Sequence, residues 1–144
     1  MTPTDADIAR VVRDFRVAID AAGPEPWARG GWTFPRGACG HAAELLGRYL
    51  IERLGITCDH VNQTTEVDIG GWTGAHSWLE WNGLFIDISG DQFGWAPVIV
   101  TRYPIHHGRG GEPTRQPVYG AHERDWWASQ CGYLWRAISA HLPC

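Results

Sequence analysis

Among the residues of this chain that could do chemistry, Cys39 has the most suggestive surroundings. A thiol attacks at neutral pH only as its thiolate, and a helix N-terminus with a nearby imidazolium stabilises that form best. Cys39 is flanked by Gly37, Ala38, Gly40, Ala42 and Ala43, small residues that let a helix start approach a sheet closely and leave room for a substrate. His76, in Ala75-His76-Ser77-Trp78, has the chemistry to take the thiol proton and later return it to a leaving group. Asp87, in Ile86-Asp87-Ile88, could hold the imidazole tautomer and favour its cation, with Asp91 as a rival for that task. The backbone N–H of Cys39 is the simplest oxyanion donor, and the side chain of Gln92 is a candidate for the second. Cys58, Cys131 and Cys144 lack such a setting and read as core or terminal residues.

These residues need elements to position them. Ile8, Val11, Val12, Phe15 and Ile19 repeat at helical spacing over residues 5 to 22, with Thr4 placed to cap. Residues 23 to 37 are rich in Gly and Pro and carry Trp27, Trp32 and Phe34, which predicts an ordered loop delivering Cys39. Ala42, Leu45, Leu46, Tyr49, Leu50 and Leu54 predict a helix over residues 39 to 54, stopped by Gly55. Short strands are expected over residues 56 to 61 and 65 to 69.

The strongest local signal runs from His76 to Ser89, where Asn82-Gly83 is the preferred type I′ turn between two alternating strands. Pairing Trp81 with Leu84 sets Leu79 opposite Ile86. Leu79, Trp81, Leu84, Ile86 and Ile88 then share an apolar face, while His76, Trp78, Glu80, Phe85 and Asp87 share the other. His76 and Asp87 become diagonal neighbours, which is why Asp87 is preferred to Asp91. A further strand is expected over residues 97 to 101, a long loop over 103 to 120, and a C-terminal helix over 122 to 141.

Gly37-Ala38-Cys39 opening a helix, followed by Ala75-His76-Ser77-Trp78 and a strand ending in Ile86-Asp87-Ile88, resembles the transglutaminase-like superfamily of papain-like cysteine enzymes. The resemblance covers about residues 34 to 93. It implies a Cys-bearing helix packed on an antiparallel sheet that carries the His and Asp, and acyl transfer at an amide through a thioester. Arylamine N-acetyltransferases and the leader peptidases of lasso-peptide synthesis share that layout. Relative to larger members, the interval from His76 to Asp87 is compressed into one tight hairpin.

Other chemistries fit less well. Cys39, His41, His76 and the His106-His107 pair could in principle bind zinc, but none recur at a finger or metalloprotease interval, so no metal or other cofactor is expected. Gly30-Gly31 and Gly110-Gly111 lack the context of a phosphate loop. A net charge of -4 and a pI near 5.9 leave no basic footprint for nucleic acid or an anionic membrane. No signal-like N-terminus or long apolar run is present, so a cytoplasmic protein is expected, although an effector exported without a cleaved signal would look the same.

The length of 144 residues suits one domain, and no internal repeat is visible. The expected fold is α+β: a central antiparallel sheet of about four or five strands, with the Cys39 helix on one face and the terminal helices alongside. The expected function is a thiol-dependent hydrolase or acyltransferase acting on a peptide or protein amide. Of the nine tryptophans, Trp32, Trp78 and Trp95 are the candidate walls of a substrate groove. The alternative is a catalytically silent relative that uses the same pocket to bind a protein or small ligand.

Overall fold

A computed structural model of the chain describes residues 2–64, 74–118 and 124–143. Helix α1 spans Asp5–Ala22 and begins with a reciprocal cap. The Asp7 N–H donates to the Thr4 hydroxyl and the Thr4 N–H donates to the Asp7 carboxylate, both at 3.0 Å, so two of the helix's orphan donors are satisfied. Ile8, Val11, Val12, Phe15 and Ile19 are all buried, as their spacing predicts. A short helix α2, Glu25–Ala28, follows within the segment expected to be loop, and its Trp27 is buried.

Helix α3 spans Cys39–Leu54, the range its apolar repeat predicts, and Gly55 closes it at a φ of 68°. Strand β1 is Asp59–Thr64, displaced from the expected 56 to 61. Ile56 and Cys58 are buried ahead of the regular ladder, although the Cys58 carbonyl already accepts from the Val118 N–H at 3.0 Å. The further strand expected over residues 65 to 69 lies outside the described residues.

Strands β2, Ala75–Trp81, and β3, Leu84–Asp87, form the hairpin in the expected register, with Leu79 opposite Ile86 and Trp81 opposite Leu84. Asn82 and Gly83 take φ of 47° and 78°, the left-handed pair that a type I′ turn requires. Strand β4, Ile99–Thr101, pairs with β3 and sets Ile99 opposite Asp87. The expected loop over 103 to 120 is corrected in one respect, because Thr114–Pro117 forms strand β5 on the free side of β1. Helix α4, Arg124–Ser139, closes the described chain.

The result is an α+β fold with a five-stranded antiparallel sheet in the order β4-β3-β2-β1-β5. Its apolar face presents Leu79, Leu84, Ile86 and Ile88 to Ala43, Leu45, Leu46 and Leu50 of α3, while Leu134 and Ile138 of α4 and the stripe of α1 join the same core. Each fully buried Leu or Ile contributes on the order of 2 kcal/mol. Helix α3 is thereby fixed to the sheet, and the site depends on that contact. Among the described residues no helix is long and apolar enough to cross a membrane.

Candidate active site

Cys39 opens α3 at the point where the helix meets the start of β2. Its preceding residue, Ala38, has no side-chain acceptor to cap the helix, and the first turn contains no acidic residue. The partial positive charge of the first N–H groups therefore stays uncompensated beside the thiol. Cys39 itself is partly exposed. Burial would push its pKa up, but hydrogen bonding with His76, the charge of that imidazole, the Ser77 N–H and the Gln92 amide outweigh burial and hold it below the usual thiol value. Cys58 and Cys131 show the contrast. Burial, with a smaller contribution from Asp59 at Cys58 and from Glu44 at Cys131, pushes each thiol up to about 12.

His76 is buried at 2% exposure. Its Nε2 lies 2.7 Å from Asp87 Oδ2, so a neutral ring carries its proton on Nε2 and turns the lone pair of Nδ1 to the side occupied by Cys39 and Gln92. Burial alone would lower the imidazole's pKa. Hydrogen bonds to Asp87 and Cys39, and the charges of both, reverse that effect and raise it to about 9. The opposed shifts move the pair in the direction of thiolate and imidazolium.

Asp87 is buried too, at 1% exposure, and every face of its carboxylate is used. Oδ2 accepts from His76 and, at 2.8 Å, from His107 Nε2, while Oδ1 accepts from the Ser89 N–H at 2.9 Å. Burial favours the neutral acid, but the bonds from His107 and then His76 hold the carboxyl well below the usual carboxylate range.

Gln92 comes from the 3-10 turn Gly90–Phe93. The Gly37 N–H donates to its Oε1 at 3.4 Å, which leaves the amide nitrogen facing His76 Nδ1 at 3.3 Å and the thiol beside it. Gly37 has a φ of 70°, a conformation suited to glycine at the approach to Cys39. Asp91 does not orient His76, contrary to the alternative the sequence allowed. Its carboxylate is gripped by both terminal nitrogens of Arg16, at 2.7 and 3.0 Å, and the same guanidinium donates to the carbonyls of Ile88 at 2.7 Å and Pro97 at 3.2 Å. Asp91 thus anchors the turn that presents Gln92.

Aromatic rings enclose the imidazole. Phe93 and Trp95 meet His76 edge-on at centroid distances of 4.8 and 5.7 Å, and Trp78 lies at 5.8 Å. The three proposed groove tryptophans therefore differ in position. Trp95 borders His76, is partly exposed and stacks on His106 at 4.2 Å. Trp78 is buried, with its indole N–H donating to Glu80 at 2.8 Å, so the expectation that it is a groove wall is corrected: it supports the imidazole from within. Trp32 lies against His41 at 4.3 Å and Trp27 at 6.4 Å, on the loop side of α3.

His107 escaped the sequence reading. Its only signal in the sequence is its place in an adjacent-histidine pair. His76, Asp87 and His107 bring one ligand atom each within 4.8 Å of one another, the kind of convergence a divalent cation could use. The hydrogen bonds already joining those atoms account for the convergence without one.

Comparison of the chain with family models, curated proteins and solved structures finds no match.

Proposed function

We propose that the protein is a thiol-dependent hydrolase or acyltransferase acting on an amide of a peptide or protein. One observation carries this reading: a thiol at an uncapped helix start and an imidazole fixed by a buried carboxylate interact so that one pKa falls while the other rises. A structural cysteine on an apolar stripe has no use for that arrangement, and Cys58 and Cys131 do not have it.

In the proposed reaction the Cys39 thiolate attacks the amide carbonyl carbon. The oxygen's developing charge is met by the Cys39 N–H and the Gln92 amide. The C–N bond breaks as His76 Nδ1 gives its proton to the departing nitrogen, leaving a thioester on Cys39. Water or an amine then attacks the thioester, His76 takes its proton, and the thiolate is restored. Asp87 keeps the imidazole in the orientation that both transfers need. The aromatic enclosure lowers the local dielectric and strengthens the pair.

The test is to trap the thioester. Protein incubated with peptides presenting backbone and glutamine side-chain amides, quenched in acid and read by intact-mass spectrometry, should carry an acyl group on Cys39 that Cys39→Ser lacks. Release of ammonia from the glutamine peptides would identify a side-chain amide as the substrate. Failure to form any adduct, together with uniform labelling of all thiols by iodoacetamide, would leave a binding module in place of an enzyme.

A further inference from the structure

His107 enters the site from the segment between β4 and β5, far from the hairpin in sequence, and it is 3% exposed. Its ring lies nearly parallel to Phe85, 8° apart at 5.6 Å, and 4.9 Å from Trp78, so aromatic walls set its plane and aim Nε2 at Asp87. That nitrogen reaches the same carboxylate oxygen as His76 does, at 2.8 against 2.7 Å. We infer that His107 is a positioning residue of this site, sharing Oδ2 of Asp87 with His76 and limiting how strongly that carboxylate holds the imidazolium. The inference rests on the thiol-enzyme reading given above.

An oxygen that receives two donors gives each a weaker bond than it would give one. Without the His107 N–H, the whole of Oδ2 is left to His76, whose cation then persists to higher pH. The lowered pKa of Asp87 agrees, since the His107 bond is the foremost influence opposing burial there. The other groups facing His76 and Asp87 are accounted for. Cys39 faces them from α3, and the Ser77 N–H of β2 bonds to Cys39. Glu80, also on β2, is tied to Trp78 and to Arg115. Beyond β3, Ser89 and Gln92 bond directly, and Asp91 is neutralised by Arg16. His106 and Arg109 lie on His107's own segment, and His106 stacks on Trp95.

The experiment uses the full chain with labelled imidazoles, following the His76 ring by NMR across pH, beside the iodoacetamide rate at Cys39. His107→Phe keeps a flat ring between Phe85 and Trp78 and removes the N–H; His107→Gln restores an amide donor at similar reach. His107→Leu serves where the Phe variant does not fold. The expected result is a His76 midpoint raised by roughly one pH unit in His107→Phe, with a change of several-fold in the labelling rate at pH 7, and a return toward the parent in His107→Gln. A folded Phe or Leu variant whose His76 midpoint stays at the parent value would overturn the inference, as would a Gln variant that behaves like the Phe variant. If Cys39 in the unaltered protein fails to label selectively, the enzyme reading falls, yet the His76 midpoints still decide the role of His107.

Discussion

Arg16 and Asp91 form an ion pair with N–O contacts of 2.7 and 3.0 Å, and through it the first helix of the chain governs the turn that carries Gln92. The guanidinium is largely buried, stands over Phe34 at 4.9 Å, and also accepts the task of satisfying two backbone carbonyls. Replacing it by a hydrocarbon would strand all of those partners at once.

Arg16→Leu should therefore destabilise the fold by roughly 2 kcal/mol, less than removing one member of a fully buried pair because Asp91 is partly exposed. Urea denaturation measures this. Because Gln92 follows Asp91, the variant should also label more slowly at Cys39 than a control such as Arg10→Leu, whose pair with Asp7 is exposed.

Cys39 should be carbamidomethylated selectively in the folded protein, with a pH midpoint below about 8.5, the value for an ordinary thiol. Cys58 and Cys131, whose thiols are pushed up to about 12 and buried, should react only on unfolding. Peptide mapping after brief labelling at pH 7 checks this. Equal modification of the three sites would remove the basis for a thiolate at Cys39.

Asp87→Asn tests the imidazole's support. His76 has a folded pKa raised to about 9, above its ordinary value of 6.5. A raised pKa contributes stability that is fully present below the unfolded value and is lost as pH climbs through the folded one. The loss of stability in Asp87→Asn should accordingly be larger at pH 6, about 2 kcal/mol, than at pH 9.5. Asp87 itself, with its pKa depressed, gives stability that is present above its unfolded value and disappears only in strong acid. A mutational cost that does not vary between pH 6 and pH 9.5 would count against the His76–Asp87 bond.

Gln92→Ala separates oxyanion stabilisation from thiol activation. Loss of one such donor typically raises the barrier by about 3 kcal/mol. Turnover of a trapped substrate should fall roughly 100-fold, while alkylation of Cys39, which develops no oxyanion, should change only a few-fold. Equal losses in both assays would place Gln92 in support of the thiolate alone.

Treatment with a chelator should leave the Cys39 labelling rate unchanged, because hydrogen bonds already join His76, Asp87 and His107. A drop in rate that added zinc restores would replace that network by an ion.

The hairpin could be read from the chain in detail because two local rules agree there: side chains alternate with a period of two, and Asn82-Gly83 permits one turn geometry. Together they set His76 and Asp87 on one face, and the two side chains meet at 2.7 Å. Helices α1 and α3 were equally legible, since each buries a single stripe. Strand β5 was not, because all four of its residues are exposed and no buried face marks it. The apolar pattern points to an earlier start for strand β1 because apolar residues report burial, which at Ile56 and Cys58 begins ahead of the regular ladder. His107 lies in a stretch without periodicity, so its contact with Asp87 depends on tertiary packing that no local pattern encodes. Asp91 and Asp87 were separable by their facing, but the partner that occupies Asp91, Arg16, lies 75 residues away.

Among the described residues the sheet ends on one side in β5, a ribbon of four exposed residues that includes Arg115 and Pro117. Proline has no amide hydrogen to offer an incoming chain, and a charged side chain discourages stacking of like molecules. This rim is poorly suited to recruiting another strand, so the sheet should resist growth into fibrils from that margin even at high protein concentration.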